Sequence, residues 1–591
     1  MAMTMNKMTL ELLSNELLFD LFELFDAFNL LRAFSGLNTR FNSLLFIHFR
    51  RYRVDLRSIS KEDFDIFYRT YLPSITDRTI YLRLSDDEDT PYQCAHFQSG
   101  ELTLGKFNNL RSLTFDSVSS DLKINQNFFS DLHRLHHLTH LKFIDCRLFH
   151  VKGDDFQEIM NQIWNLPNLT HFYGDFTFEA SSYFAIPNII STSLQYLTIH
   201  GNDWCSYKFP RLLENVPRLR KFSTSLSTYE EDDLPLVREF IPSPKNLSIA
   251  KLDLSSINSQ RLMINLFQLL PNVIHLKVEI QNLTLDGHRW EQIIVNYLPQ
   301  LKILQFMMDF DLGQSVDDQI DLKKVDQYLS TYRTPFWIQH KWFIRCHWTK
   351  LTNNLDIQVY SLPYQFDCFP VFYRNLHYNT KSTCPSDMHF SYDSARNISY
   401  KSWLFNDIEF SHNQINNIKI LSLILPTDHC FFSIFPKLEN LYALNVDIFT
   451  ENYQLQLQRL LDSAPRLFSL SFESWTTSTM PPYQCTSSSI HRLDLRGSDG
   501  SRRRYRYDIK QCEELSQTPL GIQCRVLHIE VEQPVCILHL IYPMINLRTL
   551  DVSYDYDYRS NKYDMVKVLQ HYLPSIWTVT EICHGKFIIR S

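Results

Sequence analysis

The sequence predicts an α/β solenoid, in which units of one short helix and one strand stack so that their strands form a parallel sheet. Three observations predict it. Proline directly follows amphipathic stretches in Leu166-Pro167-Asn168-Leu169, Val216-Pro217-Arg218-Leu219, Leu270-Pro271-Asn272-Val273, Leu298-Pro299-Gln300-Leu301, Ala464-Pro465-Arg466-Leu467 and Leu573-Pro574-Ser575-Ile576, and proline marks where a helix cannot continue. A leucine-x-apolar pair follows as a strand, at Leu113, Leu141, Leu197, Leu252, Leu276, Leu304, Leu421, Leu444, Leu470, Leu493, Leu527 and Leu550. Most successive anchors are 23 residues (Leu421 to Leu444) to 34 residues (Leu493 to Leu527) apart. A period of roughly 20 to 50 residues belongs to units that bury their apolar faces only against neighbours. A strand that returns to its sheet through a helix lies parallel to the one before.

In chain order, residues 6–55 form a separate helical module. Leu13, Leu17, Leu21, Leu24 and Phe25 recur at helical spacing, and Leu30, Leu31, Phe34, Leu37, Phe41, Leu44 and Leu45 continue it in two further blocks. Asn29 and Gly36 are the expected breaks, Ser14 the expected cap of the first helix, and Glu16 and Asp20 suit its positive end. A first run of repeats spans 56–310, opening on a helix over Asp63–Leu72 closed by Pro73, with Ile80-x-Leu82-x-Leu84 as the first strand. Helices are expected over Arg261–Leu270, Trp290–Leu298 and Leu455–Ala464. Between Leu304 and Leu421 the anchor is missing for 117 residues, so 311–412 is an insertion or a set of irregular repeats. Phe336-Trp337, Trp342–Trp348 and Leu355–Tyr360 are rich in β-formers and predict longer strands there. A second run of repeats occupies 413–591.

Composition narrows the function classes. At 591 residues the chain exceeds one ordinary core, which a stacked array tolerates because each unit contacts only its neighbours. A hydrophobic content of 44% excludes a disordered chain, and a net charge of −7 gives nucleic acid or an anionic membrane no general attraction. Only 12 glycines weigh against phosphate-cradling loops and a nucleotide-using enzyme. The apolar N-terminal run is broken by Glu11, Glu16, Asp20, Glu23 and Asp26, unlike a secretory signal. The 12 cysteines form no C-x-x-C pairs, and with no span of about 18 uncharged apolar residues the expected place is cytoplasmic or nuclear.

The helical module resembles an F-box. Leu12-Leu13-Ser14-Asn15-Glu16-Leu17-Leu18, Leu21-Phe22-Glu23-Leu24-Phe25, Leu30-Leu31-Arg32-Ala33-Phe34 and Leu37-Asn38-Thr39-Arg40-Phe41 carry the likeness. Leu13 and Glu16 match the family's opening, Ser14 replaces its usual proline, and Phe41 stands where tryptophan is common. An F-box ahead of leucine-rich repeats resembles the substrate receptors of SCF-type ubiquitin ligases. That resemblance implies docking on a Skp-family adaptor and a cullin-based ligase, with the repeats holding a protein substrate and no catalysis by the chain itself. Leu13, Glu16, Leu17, Leu18, Leu21 and Phe22 are the candidate adaptor contacts. Leu17, Phe19, Leu21, Phe22, Leu24 and Phe25 cannot all face one side at 100° per residue, so the first helix has two apolar faces to bury. The alternatives are a leucine-rich-repeat scaffold without a ubiquitin role and, resting on Arg502-Arg503-Arg504-Tyr505-Arg506 alone, an RNA-binding solenoid.

Side chains between the anchors point to the concave face, where Asp116, Asp175, Glu279, Asp447, Glu473 and Glu530 are the candidate substrate contacts. His140, His171, Lys221, Lys251, His275 and Arg492, each preceding an apolar anchor, place bases beside these acids. The closing asparagine or cysteine of the repeat appears as Cys146 and Asn202 but is lost at Val118, Ile257, Ser498 and Asp555. No catalytic constellation, metal site or cofactor motif is expected. Gly100-x-x-x-x-Gly105-Lys106 places Phe107 where a P-loop needs Ser or Thr. His133, His136, His137 and His140 have metal-like spacing, but Leu135, Leu138 and Leu141 occupy the anchor positions between them and send the histidines to the surface. Cys512, Cys524 and Cys536, twelve apart, are too dispersed for a closed site.

Overall fold

A computed structural model describes residues 10–49, 53–90, 93–94, 97, 102–118, 131–148, 153–178, 184–227, 244–351, 353–369, 378–385, 390–400, 415–448, 453–475, 484–499, 504–554, 565–583 and 585–590. The protein is mixed α/β with large, mostly parallel sheets. It divides into two compact units, Met1–Glu279 with Ile293–Ile303, and Ile280–Gln292 with Leu304–Ser591.

The first unit opens on three helices, α1 (Asn15–Phe22), α2 (Ala27–Phe34) and α3 (Thr39–Phe49). Each start has a capping side chain: Ser14 accepts from Leu17 N at 3.4 Å, Asp26 from Asn29 N at 2.7 Å, and Asn38 from Phe41 N at 2.9 Å. Asn29, expected as a break, lies inside α2, because the Asp26 cap restarts the helix three residues earlier. Gly36, at φ +81°, makes the second break, in the left-handed region that suits glycine.

Strands β1 (Arg53–Asp55), β2 (Tyr81–Ser85), β3 (Ser112–Asp116), β4 (His140–Leu148), β5 (His171–Phe178), β6 (Tyr196–Cys205), β7 (Lys221–Ser227), β8 (Ile249–Ser256) and β9 (His275–Gln281) lie side by side in sequence order. From β1 to β8 every pairing is parallel. Val54, Leu82, Leu113, Leu141, Phe172, Leu197 and Phe222 form one register row and are buried. At β8 the row passes to Ala250, and Leu252 pairs with Thr224 one pleat further on. Two expectations need correction here. β1 precedes the strand expected to come first; its single buried residue, Val54, is too short a pattern to register as a strand. Pro73 also does not close its helix: a π turn over Phe67–Tyr71 leads into the short helix Leu72–Ile75, where proline sits in the first turn and needs no N–H partner.

The Leu-Pro-x-Leu segments have a specific local structure. The N–H of Leu219 bonds to Val216 O at 3.1 Å, that of Val273 to Leu270 O at 3.1 Å, that of Leu301 to Leu298 O at 3.0 Å, and that of Leu467 to Ala464 O at 3.1 Å. Proline therefore occupies the second position of a β-turn, for which its φ is preset. It links a helix end to a strand start in four residues. The helices Gly153–Trp164, Phe209–Glu214, Gln260–Gln268 and Gln454–Asp462 all reach their strands through such a turn.

In the second unit, β10 (Ile303–Gln314), β11 (Phe343–Leu351), β12 (Asn354–Leu362) and β13 (Asn379–Ser382) pair antiparallel in the order β10-β12-β11-β13. Phe336-Trp337 is helical instead of extended: Pro335 opens the helix Pro335–His340, and Trp337 turns inward, its indole N–H bonding to Gly287 O at 3.2 Å. The second sheet runs β14 (Asn397–Ser399), β15 (Ile420–Leu425), β16 (Ala443–Ile448), β17 (Ser469–Trp475), β18 (Arg492–Asp494), then β20 (Val526–Val531) and β21 (Thr549–Tyr554), while the short β19 (Ser498–Asp499) pairs with β17. Ile398, Leu421, Leu444, Leu470, Leu493, Leu527 and Leu550 share one parallel register row and are at most 1% exposed. An antiparallel pair, β22 (Thr578–Cys583) and β23 (Lys586–Arg590), completes this sheet, with β23 against β21.

Candidate functional site

The surface of α1–α3 is unusually apolar for exposed helices. Leu12, just ahead of α1, is 71% exposed, Leu17 on α1 53%, Leu24, just after α1, 81% and Leu37, just before α3, 58%, and exposed apolar side chains of this size are the material of an interface. Arg40 on α3 fastens the turn ahead of α1, donating to Leu13 O at 2.6 Å and to Asn15 Oδ1 at 2.8 Å, while Asn38 donates to Glu11 Oε1 at 2.9 Å. Glu16 stands in the first turn of α1, fully exposed, where its own backbone N–H and the Ser14 hydroxyl hold its carboxyl below the usual range. At the turn between α1 and α2 a shallow depression is lined by Leu24, Phe25, Asp26, Asn29, Arg32 and Ala33.

The six residues expected at this surface divide. Glu16 and Leu17 are exposed, and Leu13 and Leu21 are half-buried. Leu18 and Phe22 are fully buried and belong to the module's core, where the Phe22 ring lies 5.0 Å from Phe34 and 5.6 Å from His48. With only eight residues in α1, helical periodicity leaves open which apolar stripe α2 and α3 cover. Leu12, Leu24 and Leu37, all more than half exposed, were not among the six.

The candidate acids of the sheet faces also divide. Asp175 and Glu279 are half-buried and Glu473 is exposed. Asp116, Asp447 and Glu530 are buried, contrary to their expected place on an open surface. Asp116 is paired with Arg83, Asp447 accepts from Ser474 Oγ, and Glu530 is paired with Arg504. The reason is positional. All three sit near the C-terminal ends of their strands, and for two of them a neighbouring segment prolongs the sheet there: Asp86 N bonds to Asp116 O at 2.9 Å and Tyr507 N to Glu530 O at 2.9 Å.

In the second unit, charges converge on Asp551. Arg496 bridges Asp494 at 2.6 Å and Asp551 at 3.0 Å, while His528 Nδ1 lies 3.1 Å and Lys586 Nζ 3.7 Å from Asp551. Burial pushes the Asp551 carboxyl up, but the His528 hydrogen bond and the charges of His528, Lys586 and Arg496 outweigh it and hold the group below its ordinary value. Beside this network Arg504, Tyr505, Arg506, Asp508, Gln511, Glu532 and Tyr554 line an open cleft. Arg502 and Arg503 of the basic run lie outside the described residues; Arg504 is committed to Glu530.

On the exposed face of the first sheet, opposite the core, His140, His171 and Tyr196 occupy one register row on β4, β5 and β6. Their rings form a ladder, His140 to His171 at 4.0 Å and 13°, and His171 to Tyr196 at 4.1 Å and 5°. Burial, the neighbouring imidazole and Lys142 press His171 down to about 4, and burial, Lys142 and Arg53 lower His140.

Of the chemistry sought in the sequence, Gly100 lies outside the described residues, and Phe107 is fully buried. His133, His136 and His137 are exposed on a turn whose Leu135 and Leu138 point inward. Cys146, Cys512 and Cys524 are buried cysteines, and burial pushes the Cys146 and Cys512 thiols far up, so those two sulfurs stay protonated. Among the described residues no group of three or more His, Cys, Asp or Glu side chains is arranged to hold a metal, and no helix is long and apolar enough to cross a membrane. No protein-family model matches the chain, and no curated protein matches it.

Proposed function

We propose that the chain is a non-catalytic substrate-recognition subunit of an SCF-type ubiquitin ligase, cytoplasmic or nuclear, in which α1–α3 act as an F-box and the stacked helix–strand units act as a leucine-rich-repeat solenoid. The observation that carries the reading is the exposed apolar surface of the three-helix module, with Leu12, Leu17, Leu24 and Leu37 all more than half exposed. Such leucines become buried anchors when a partner docks, and a few of them carry most of the affinity. Leucines in register across successive parallel strands support the repeat part. The chain contributes proximity: it presents a protein substrate to an enzyme supplied by the partner complex.

The test is a pull-down with a purified Skp-family adaptor. Wild type recovers the adaptor, and the double variant Leu13→Ala with Leu17→Ala does not, while its circular dichroism and melting stay those of a folded sheet protein. Recovery by the double variant, or none by wild type, overturns the ligase reading. The second reading, a repeat scaffold without a ubiquitin role, then stands on the same parallel sheets. An RNA-binding role would rest on Arg502–Arg506, of which Arg504 is paired with Glu530.

A further inference from the structure

The face of the first sheet that carries the ring ladder sorts its charges by position along the strands. Arg111, Thr139, Thr170, Gln195, Arg220 and Ser248 form the row at the strand entries, each after the first donating its N–H to the carbonyl of the one before. The next row runs from Arg53 through the ladder to Lys221, and the one after it includes Lys142 and Lys251. In these three rows the described acid is Asp55, which is bridged to Arg57, and Arg83 is committed to Asp116. Among the described residues none of Arg53, Arg111, Lys142, Arg220 and Lys221 is paired with an acid. At the other ends of the same strands the sign reverses, with Asp87, Glu88, Asp116, Asp145 and Asp175 close together. Burial and the charges of Asp175, Asp116 and Glu88 push the Asp145 carboxyl up against the pull of Arg147. Four residues of strand at about 3.3 Å each set the two ends about 13 Å apart, beyond the Debye length of about 8 Å at physiological salt, so a partner meets them as separate fields.

We propose that this strand-entry margin, centred on the ring ladder, is the docking surface for an extended acidic segment of a partner protein. Its unpaired cations select the sign of the partner by charge complementarity. The ladder selects its class. His171 has both ring faces covered, by His140 at 4.0 Å and by Tyr196 at 4.1 Å, so the stack turns ring edges outward. Ring edges carry the positive part of the aromatic quadrupole and suit carboxylate and carbonyl oxygens. Single-stranded nucleic acid needs open ring faces on which its bases stack, and a closed ladder withholds them. Lys142 on β4 and Lys221 on β7 stand three strands apart, about 14 Å at about 4.8 Å per strand. An extended chain covers that distance in about four residues, so carboxylates at that separation reach both lysines. The acidic strand ends repel the same segment and hold it over the entry rows. The inference rests on the reading that the stacked units hold a protein, and it stands whether or not α1–α3 bind an adaptor.

Fluorescence anisotropy of the purified full chain tests it, with a labelled peptide of alternating glutamate and serine, about 16 residues and so long enough to cross the face. A lysine–serine peptide and an oligouridylate of equal length are measured beside it. Wild type binds the acidic peptide most tightly of the three, and less tightly as salt rises. Lys142→Glu with Lys221→Glu, and the milder Lys142→Gln with Lys221→Gln, weaken that binding about tenfold or more while circular dichroism and melting temperature stay those of wild type. Asp145→Asn with Asp175→Asn, at the opposite strand ends, leaves the affinity unchanged or raises it. No binding of the acidic peptide by wild type, undiminished binding by both lysine variants, or tighter binding of the oligouridylate overturns the proposal. The adaptor pull-down on the same preparation keeps the two readings apart: a chain that recovers adaptor but binds no acidic peptide overturns this inference alone, and one that binds the peptide but recovers no adaptor overturns the ligase reading alone.

Discussion

Asp551 accepts from His528 and lies against both Arg496 and Lys586 while being itself 7% exposed. Removing one member of a buried charge network leaves the others uncompensated, so Asp551→Asn should cost about 3 kcal/mol in urea unfolding. The pH dependence has a definite sign. The carboxyls of Asp551 and Asp494 are held below their ordinary value in the folded state, Asp494 because its hydrogen bond and ion pair with Arg496 outweigh the upward push of burial. Their stabilisation is present above the unfolded value of about 3.9 and drains away as pH falls through the folded values. Unfolding curves from pH 7 to 3 should show wild type losing more stability below pH 4 than Asp551→Asn does; parallel curves would remove the network from the account. Gly201 makes a second prediction at this scale. It adopts φ +106°, and a Cβ there would stand 1.7 Å from Phe176 O on the neighbouring strand. Gly201→Ala should cost more than about 2 kcal/mol, because backbone cannot move aside within a sheet.

At the scale of the element, the unit is a strand whose alternate residues enter the core from one side. Leu444 and Leu470 are fully buried and pair directly across β16 and β17. Truncating either to Ala should cost about 2–5 kcal/mol. Thr114 and Ser471, half-exposed on the other face, should tolerate Ala at under about 0.5 kcal/mol. Equal losses in thermal melts would contradict the assigned faces. The helices obey the same local logic: Ser14→Ala removes the side-chain cap at the start of α1 and should cost the module about 1 kcal/mol.

At the scale of the whole molecule, the second sheet needs a covered edge. β23 supplies it for β21, pairing Phe587 with Val552 and Ile589 with Leu550, and both β23 side chains are fully buried. Deleting residues 575–591 would strip that edge and expose a parallel strand rich in apolar side chains. Size-exclusion chromatography of the truncated protein should show concentration-dependent oligomers where the full chain shows none. A truncated chain that elutes as a monomer would mean that the hairpin is dispensable as an edge.

Much of the strand placement was legible in the sequence, since all twelve leucine anchors from Leu113 to Leu550 fall within strands. Alternation along a strand and proline at a turn are local properties, and a linear string carries them whole. What spans distance was not legible. The antiparallel order of β10, β12, β11 and β13 depends on which strand edges meet, and nothing in the spacing of residues encodes that. At the candidate interface the string offered Leu17 and Leu18 on equal terms; packing of α2 and α3 buried Leu18 and left Leu17 exposed. The histidines follow the same rule. Sequence grouped His140 with His133, His136 and His137, while the fold sets it against His171, one unit away along the chain and 4.0 Å away in space. The sequence by itself determined the period, the strands and the faces they bury, because each follows from the chemistry of neighbouring residues. Only the tertiary structure decided which side chains from different units touch, because register across a sheet is settled by the packing of whole elements against one another.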